Sequence, residues 1–527
     1  MPQLRDSSNT LNGSAAGRPT AHVGAEHADG FARIFGVETE YGVSVTGAKH
    51  PVDPGQVAMT MFRPVVSRSR STNTYLVNGS RLYLDVGSHP EYATAEAVNP
   101  MDALAQDLAG EHVMRRLGLE AQARLRESTG EGTHVHLFKN NVDSAGHSFG
   151  CHENYLLRRQ VPLSAIETEL IPFLVTRVLF TGAGRFTGED GVPDGFEITQ
   201  RADFLDDAIS SSTTRSRPMV NTRDEPHADS DLFRRLHVIV GDSNRSQTAT
   251  WMKLAVTHLV LCVIEEAYRA GAPSGFEEFA LADPSEAIRT VSRDRTGRAR
   301  FTLASGETSC ALDVQRRYLA LASAFVAEHD ELFADAGLTG SGSAGFAGAA
   351  ETEVGETADA GEAVAYPAGL SRQDVSRALT LWAEALDAVE SGEWRKLASW
   401  VDWAAKLQLI EALRRRDPSV DDARLRQIDM DYHDIVNGTV YERLVRAGMM
   451  RTMIDEAGVR HAVEHAPANT RAALRGEFVR RVLEGDYQWS CDWTHVAVTS
   501  PVRLEAELLD PFSAAPTPAY TTVLKAL

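Results

Sequence analysis

The sequence predicts an α+β fold, in which helices pack behind an open, mainly antiparallel sheet. Segments of alternating polar and apolar residues recur along the chain, and this period is typical of half-buried strands. Segments with apolar residues at helical spacing lie between them. An Asn-Gly pair also joins two strand-like runs, which is the strongest short-range indication of a β-hairpin. This mixture favours an α+β arrangement with one sheet face left open.

The strand pattern occurs in three separate segments, which are residues 35–45, 133–138 and 236–240. The hairpin centred on Asn78-Gly79 adds two further strands, 74–77 and 81–86. Because successive strand residues point to opposite faces, the apolar residues of the second hairpin strand, Leu82, Leu84 and Val86, face a core. The opposite face carries three polar side chains in a row: Arg81, Tyr83 and Asp85. Such a row has no packing value, so it must meet solvent, a partner or a ligand.

Four longer segments have the apolar spacing of helices, and they are residues 166–180, 250–270, 314–333 and 371–389. The last begins with Ser371, and Asp374 follows three residues later, which is a helix-start signal. The most apolar run, 251–264, is interrupted by Lys253 and His258 and is too short to span a bilayer. It predicts a buried helix.

A chain of 527 residues is too long for one small core. Residues 1–30 are rich in Ser, Gly, Ala, Asn and His, and they predict a disordered extension. Residues 31–435 then form the catalytic domain, interrupted by a low-complexity insertion at 338–368 that we expect to be mobile. Residues 436–527, with a helix at 471–484 and a short strand near 493–498, predict a small C-terminal domain.

Composition restricts the class of protein. The formal charge is −20, from 53 Lys and Arg against 73 Asp and Glu, and this argues against a general nucleic-acid surface. The four cysteines are far apart and form no Cys-X-X-Cys pair, so neither a disulfide framework nor a zinc site is indicated. We therefore expect a cytoplasmic monomer that binds neither nucleic acid nor a membrane.

Acidic residues supply the first candidate site. On a strand, Glu38 and Glu40 share a face about 6.5 to 7 Å apart, and Asp85 and Glu91 belong to the neighbouring hairpin region. Carboxylates that converge repel each other unless a metal or a proton separates them, and Mg²⁺ that bridges nucleotide phosphates is the common solution. For Glu38 and Glu40 alone, a solvated edge strand is the alternative interpretation.

A second polar block contains the arginines of residues 212–229. Guanidinium groups such as those of Arg217 and Arg223 bind carboxylate or phosphate in a bidentate fork, although a structural network of Arg-Asp pairs explains them equally well. His237 lies on a strand, where it is either a structural residue or part of the site. No phosphate-binding P-loop sequence occurs, so ATP, if used, is held in another way. The residues by themselves thus indicate a metal- and phosphate-handling enzyme on an open sheet.

Six segments that carry most of these residues are long and specific: 35–42, 78–96, 138–146, 150–156, 221–229 and 236–244. In this order they resemble the Pup ligase family, and the resemblance extends from about residue 32 to the C-terminus. Pup is an actinobacterial ubiquitin-like protein, and the family is remotely similar to glutamine synthetase and glutamate-cysteine ligase. The resemblance therefore implies a glutamine-synthetase-like sheet.

The resemblance also implies an activity, namely ATP- and Mg²⁺-dependent attachment of Pup, through its C-terminal glutamate, to lysine-bearing target proteins. It assigns Glu38, Tyr83 and Glu91 to the metal, and we add Glu40 from its position on the same strand face. It assigns Arg81, Thr94 and Trp493 to the nucleotide and Asp85 to proton acceptance. We further nominate three substrate-binding residues: Arg217, Arg223 and His237.

Three alternatives stay open. The depupylase of the same family cleaves Pup from its targets, but it carries a long loop before the hairpin, and only 37 residues separate Glu40 from Asn78 here. This spacing favours the ligase. A small-molecule glutamate-amine ligase and a non-catalytic Pup-binding module are the other two alternatives.

Overall fold

The computed structural model describes residues 23–85, 87–143, 146–188, 192–211, 217–333 and 368–527. The predicted extension up to residue 22 and the predicted insertion up to residue 367 lie outside the described residues. The strands are β1 (Phe35–Glu40), β2 (Gly42–Thr46), β3 (Asn73–Tyr75), β4 (Arg81–Leu84), β5 (Pro90–Ala93), β6 (His134–Phe138), β7 (Cys151–Arg158), β8 (Arg185–Phe186), β9 (Phe196–Glu197), β10 (Asp207–Ser210), β11 (Pro218–Asn221), β12 (Phe233–Val238), β13 (Arg300–Thr302), β14 (Thr308–Cys310), β15 (Gln488–Cys491), β16 (His495–Ser500) and β17 (Leu504–Glu507).

The helices are α1 (Pro54–Ser69), α2 (Pro100–Thr129), α3 (Leu163–Ala165), α4 (Ile171–Thr176), α5 (Val178–Thr181), α6 (Gln247–Ala270), α7 (Pro284–Ser292), α8 (Ala311–Glu328), α9 (Arg372–Glu390), α10 (Asp402–Arg416), α11 (Asp422–His433), α12 (Val440–Arg446), α13 (Glu456–Glu464), α14 (Arg471–Glu484) and α15 (Pro518–Lys525). A π-helical turn, Ile166–Leu170, joins α3 to α4. Short 3₁₀ turns occupy Ala25–His27, Pro193–Gly195, Ala202–Phe204, Glu277–Phe279, Asp330–Phe333 and Trp394–Ser399.

Eight strands form one open sheet in the order β10-β11-β12-β7-β1-β5-β4-β3. Every neighbouring pair is antiparallel except β10 and β11. The predicted α+β class with a mainly antiparallel sheet is therefore confirmed. The Asn78-Gly79 hairpin is β3-β4, and the central strand β1 brings its two glutamates to the middle of the sheet.

Helices cover one face of this sheet. Phe35, Val37 and Thr39 of β1 are buried on that side, while the intervening residues point to the open face. Helix α6 lies in the core, with Trp251 fully buried. By length and composition α6 resembles a membrane span, but 94% of its most apolar window is buried inside the protein, as expected for a core helix. The helix predicted at 371–389 is α9, and Ser371 caps it by accepting a hydrogen bond from the Asp374 amide.

A buried ionic cluster ties α6 to the chain before β1. Glu265 pairs with Arg33 at 2.7 Å and with Arg158 at 3.2 Å. Arg33 Nε also donates to His258 Nδ1 at 3.1 Å, and His258 Nε2 contacts the Ala368 carbonyl at 2.5 Å. These partners fix the neutral tautomer of His258, with its proton on Nε2. Burial and the neighbouring arginines lower the pKa of His258 to about 3.

We expect His258 to make stability depend on pH. Between its unfolded pKa near 6.5 and about 3, the unfolded chain binds one more proton at this site than the folded protein does. The free energy of unfolding should therefore fall by about 1.4 kcal/mol for each unit that the pH decreases in this range, and the full stability should be present above pH 6.5. Urea denaturation midpoints measured at several pH values test this. The variant His258→Gln should have a shallower dependence, and an unchanged slope would contradict the assignment.

The C-terminal unit has its own apolar cluster, built from α14, β15 to β17 and α15 around Phe478, Val496 and Val523. Helix α12 instead packs on α10 and α11, and α13 packs on α2. The packing thus places the start of this unit near Thr470 rather than at residue 436. The sequence does not show this boundary, because an amphipathic helix does not specify which core it covers.

Residues 23–30, which the sequence assigns to the disordered extension, are ordered in the structure. They contain the helical turn Ala25–His27, and Arg158 donates to the His27 carbonyl at 2.9 Å. The His27 ring stacks on Phe512 at 4.3 Å between centroids. These long-range contacts offset the low apolar content from which disorder was predicted.

Candidate active site

The open face of the sheet carries a continuous polar surface. Cross-strand pairing places Tyr83, Glu91 and Glu40 side by side on β4, β5 and β1. The next row runs through Arg81, Ala93, Glu38 and His152, from β4 to β7. A third row joins Gly36, Asn154, His237 and Asn221, from β1 to β11. Residues that are distant in the sequence meet here because opposite strand residues share a face.

Two overlapping groups of metal-ligand type lie at the centre of these rows. Glu38, His152 and His237 form one, and Glu40, Glu91 and His152 form the other, with the ligand atoms of each group within 4.8 Å of one another. A side chain at Gly150 would lie 2.5 Å from His152 Nε2 and 2.6 Å from Glu40 Oε1. Glycine at this position therefore permits the close approach of the two ligands.

Hydrogen bonds orient the first group. Glu38 accepts from His152 Nδ1 at 3.1 Å and from Asn154 Nδ2 at 3.0 Å. Asn154 Oδ1 in turn accepts from His237 Nδ1 at 2.8 Å. Because both histidines donate through Nδ1, their neutral forms keep the Nε2 lone pair for another ligand.

The two central carboxylates have opposite electrostatic environments. Burial disfavours the charged form of Glu38, but the hydrogen bond from His152 and the interactions with His237, His152 and Arg235 outweigh it and lower its pKa. Burial and the charges of Glu38 and Glu40 raise the pKa of Glu91 well above its usual range. Burial lowers the pKa of His237 to about 3, so its ring is neutral at pH 7.

Tyr83 and Arg81 lie at the β4 side of the cluster. Tyr83 lies opposite Glu91 across the strand pair, and burial together with Glu38 and Glu91 raises the pKa of the Tyr83 phenol far above 10. Tyr83 is thus a neutral phenol, whose assignment to a metal stays a prediction. The Arg81 guanidinium lies 4.3 Å from the centroid of the Tyr83 ring and donates to Asn73 Oδ1 at 2.9 Å. Its remaining donors are available to a phosphate.

Asp85 directly follows the last residue of β4. Its amide donates to the His89 carbonyl at 2.9 Å, and its carbonyl accepts from the Ser88 amide at 3.0 Å. Gly87 and Ser88 have φ values of 84° and 64°, which form the tight loop between β4 and β5. The Asp85 carboxylate is near enough to contribute to the raised pKa of Glu91. The structure therefore brings Asp85 to the edge of the carboxylate cluster.

A cavity opens beside the cluster, between the sheet and the C-terminal unit, and its space of about 570 Å³ includes open solvent. Glu38 lines one end, and Trp493, from the turn between β15 and β16, lines the other. Thr94 Oγ1 accepts from the Val37 amide at 3.0 Å and faces the same cavity. The remaining lining residues are Ile34, Phe35, Gly36, Val37, Ala93, Glu96, Asn154, Tyr155, Leu156, Pro226, His227, Arg235, Arg471 and Pro511.

Two of the nominated substrate residues lie outside this constellation. Arg223 is 59% exposed and pairs with Glu225 at 2.7 Å, and Arg217 is exposed at the start of β11. Neither lines the cavity or joins the metal-type groups, so their binding of Pup stays a prediction. His237, the third, lies inside one of the groups.

The sequence analysis did not assign three residues to the site that the structure places there: His152, Asn154 and Arg235. Arg235 Nη1 lies 3.5 Å from Glu38 Oε1. Arg235 and His237 are two residues apart on β12 and therefore share a face, so strand alternation in the sequence could have identified Arg235. His152 and Asn154 lie opposite Glu38 and Gly36 only because β7 pairs with β1 in this register. No local sequence signal reveals that pairing.

The donor set fits a divalent cation. Glu38, Glu40 and Glu91 supply the carboxylate oxygens that Mg²⁺ prefers, and their mutual repulsion adds to burial in raising the pKa of Glu91. A cation at this position would relieve the repulsion. The two imidazoles add ligands that suit other divalent metals better than Mg²⁺.

Asn154 should be required for the geometry of this cluster. The variant Asn154→Leu removes both the donor to Glu38 and the acceptor from His237 without adding a charge, so both ligands lose the hydrogen bond that orients them. We expect a loss of metal affinity and activity of about 10- to 100-fold. Titration calorimetry with Mn²⁺ and turnover assays measure both. Metal affinity equal to that of the wild type would exclude this role for Asn154.

We assign this protein to the class of nucleotide-dependent ligases, because its open, mainly antiparallel sheet carries a carboxylate cluster beside a cavity. The chain belongs to the Pup-ligase family, because the family model "Pup-ligase protein" matches residues 33–497. This confirms the resemblance seen in the sequence.

Similar proteins cover the chain from end to end. The Pup--protein ligase of Bifidobacterium longum (strain NCC 2705) is 58% identical over 528 residues, which is 100% of both chains. That of Bifidobacterium adolescentis is 54% identical, again over 100% of both.

Two solved structures are also similar. The Pup ligase PafA in the crystal structure of its complex with the prokaryotic ubiquitin-like protein Pup has a TM-score of 0.80 and 36% identity, covering 94% of this chain and 91% of that one. The Pup ligase PafA in complex with ADP has a TM-score of 0.73 and 37% identity, covering 90% of this chain and 94% of that one.

Proposed function

We propose that this protein is an ATP-dependent Pup ligase, which joins the side chain of Pup's C-terminal glutamate to lysines of target proteins through an isopeptide bond. The observation that carries the proposal is the arrangement of Arg81, Asp85 and the carboxylate cluster along one open sheet face that continues into the cavity. The full-length similarity to proteins named Pup--protein ligase supports the same activity.

In the first step, the glutamate carboxylate attacks the γ-phosphorus of ATP, so that a γ-glutamyl phosphate and ADP form. Arg81 offsets the negative charge on the transferred phosphoryl group, and the Tyr83 ring beneath it holds the guanidinium in place. Thr94 and Trp493 hold the nucleotide in the cavity. The similarity to PafA in complex with ADP supports the use of a nucleotide by this protein.

In the second step, a lysine amine attacks the acyl carbon and phosphate leaves. A lysine ammonium has a pKa of about 10.4 and is not nucleophilic at neutral pH, so a base must remove a proton. Asp85 is that base in our proposal, because it lies at the edge of the carboxylate cluster and its backbone is held by hydrogen bonds with Ser88 and His89.

Glu38, Glu40 and Glu91 are the residues that would hold Mg²⁺, with the rings of His152 and His237 beside them. When bound, the metal would neutralise phosphate charge and orient the phosphoryl group for in-line transfer. The chain's own contribution is the hydrogen-bonded frame of Asn154 and His152, which keeps Glu38 ionised and in position.

We also propose a cytoplasmic location, which agrees with four free cysteines, three of them buried. The family resemblance implies that Pup has an acidic tail, and this chain itself has a net charge of −20, so Pup must bind a locally basic groove. We therefore expect added salt to weaken Pup binding. Affinity that is independent of ionic strength would contradict such a groove.

The decisive experiment is mass spectrometry of a reaction that contains ATP, Mg²⁺, glutamate-ended Pup and a lysine-bearing protein. We expect a conjugate whose mass is the sum of both proteins minus one water, together with ADP and phosphate. In a parallel reaction with glutamine-ended Pup, conversion to the glutamate form without conjugation would favour the alternative depupylase, acting as a deamidase. ADP release with free glutamate and an amine alone would favour a small-molecule ligase.

A further inference from the structure

A buried ionic cluster joins the sheet to the C-terminal unit, away from the metal-type groups. We define it as the Glu96 cluster, consisting of Glu96, Arg471 and Arg475. Glu96 follows β5 and lies two residues after Thr94, while Arg471 opens α14 and Arg475 lies one turn later. The three residues are 7%, 3% and 0% exposed. Nothing in the proposed reaction uses these groups directly.

Arg475 holds Trp493 from two directions. Its Nη1 donates to the Trp493 carbonyl at 3.1 Å, and its guanidinium carbon lies 4.9 Å from the centroid of the indole ring. Its Nε and Nη2 donate to the Gly79 carbonyl at 2.9 and 2.8 Å, and Nη2 also donates to Glu96. One side chain therefore fixes the backbone and the ring of Trp493 relative to the hairpin turn.

Arg471 joins three segments that enclose the same end of the cavity. Its Nε donates to Glu96 Oε1 at 2.8 Å. Its Nη1 donates to the carbonyls of His227, Leu508 and Leu509 at 2.5, 3.0 and 3.0 Å. His227 lines the cavity and has a positive φ of 51°, an uncommon conformation for a residue other than glycine. The sheet, the loop with His227 and the C-terminal unit thus meet at one guanidinium.

The backbone of α14 lies close against the hairpin turn, which leaves little freedom in this docking. A side chain at Gly476 would lie 2.5 Å from the Val77 carbonyl, and one at Gly79 would lie 2.7 Å from the Ala472 carbonyl. Thr470, the N-cap residue of α14, also donates to the Glu96 carbonyl at 3.1 Å.

The cluster contains two cations and one anion. Burial disfavours the charged form of Glu96, but Arg475 and Arg471 outweigh it and lower its pKa to about 2. A buried ion pair adds little net stability compared with apolar residues of similar size, because removing its charges from water is costly. Such a cluster is better suited to fixing a geometry than to stabilising the fold.

We propose that Glu96, Arg471 and Arg475 are positioning residues that build the base-binding end of the nucleotide cavity by docking the C-terminal unit onto the sheet. They act through Trp493 and His227. The inference rests on the proposed function, because it takes the cavity as the site of ATP. A nucleotide that contacts both sides of this junction stabilises the docking, and the docking must then strengthen nucleotide binding by the same factor.

Three variants test the inference: Arg471→Lys, Arg475→Lys and Glu96→Gln. Lysine keeps the positive charge, but its single ammonium cannot reproduce the planar fork that spans carboxylate and carbonyl groups. We expect each variant to raise the Kd for ADP and the KM for ATP by about 10-fold, as expected for the loss of one charge-assisted hydrogen bond. The kcat should stay within about two-fold of the wild-type value, because the reacting groups are not moved.

Arg481→Gln is the matched control. Arg481 lies on the same helix and pairs with Glu477 at 2.8 Å, but this pair is 55% and 40% exposed. It should leave the Kd for ADP unchanged. A second measurement is limited proteolysis of residues 485–515. ADP should slow cleavage of the wild type, and it should protect the three cluster variants less.

The outcomes separate the inference from the proposed function. Folded variants that bind ADP as tightly as the wild type would overturn the inference, and so would a loss of kcat with unchanged KM. If the wild-type protein does not bind ADP by titration calorimetry, the proposed function fails as well. If Glu96→Gln does not fold, the two lysine variants, which retain the ion pair, still decide the matter.

Discussion

The variant Asp85→Asn should lose conjugation almost completely. Asparagine has nearly the same shape, and the backbone hydrogen bonds of Asp85 with Ser88 and His89 do not involve its side chain. The amide cannot accept the lysine proton at neutral pH, so the rate of isopeptide formation should fall by about 10³-fold. Gel assays with glutamate-ended Pup measure the rate, and titration calorimetry should find an unaltered Kd for ADP.

Asp53→Asn is the matched control for this substitution. Asp53 caps α1, and Gly55 of the same helix lies against Ser88, so the control removes a carboxylate next to the same loop. Asparagine is an equally good N-cap, so the fold should be retained. If Asp85→Asn conjugates at the rate of the control, Asp85 is not the base, and the mechanism proposed for the second step is wrong.

The second large effect is expected for Glu38→Gln. Glu38 interacts with His152, Asn154 and Arg235, and it belongs to a metal-type group at the centre of the sheet. The neutral amide weakens the attraction for a cation and leaves the Arg235 charge less compensated. We expect the activity to fall by about 10³-fold, because a metal ligand contributes several kcal/mol to charge stabilisation.

Metal binding provides the independent readout for Glu38→Gln. Mn²⁺ titrations followed by electron paramagnetic resonance should show a much weaker affinity in this variant. Glu225→Gln removes a 40% exposed carboxylate from the rim near Arg235 and should behave like the wild type. Wild-type Mn²⁺ affinity in Glu38→Gln would show that the cation is held elsewhere.

Much of the site was predictable because strand periodicity is a local property. Arg81, Tyr83 and Asp85 share a face by their spacing alone, and so do Glu38 and Glu40. The Asn78-Gly79 pair predicted a hairpin, and in the structure β3 and β4 form this hairpin. Local signals also predicted the start of α9 at Ser371, because N-cap chemistry involves only neighbouring residues.

His152 shows where local reasoning fails. Its ring nitrogen enters both metal-type groups, yet it lies 114 positions from Glu38 in the chain. The two residues are neighbours because β7 pairs with β1 in one particular register. Register depends on burial of the opposite face across the whole sheet, which no single segment determines.

The sequence by itself determined the family, the α+β class and the chemistry of the central strand face, because motifs and period-two alternation are properties of short segments. Only the tertiary structure decided that two histidines join the carboxylate cluster, that Arg217 and Arg223 lie outside it, and that α14 contacts Glu96 through Arg471 and Arg475. These contacts join distant segments, and which segments meet is set by the packing of one shared core rather than by any local pattern.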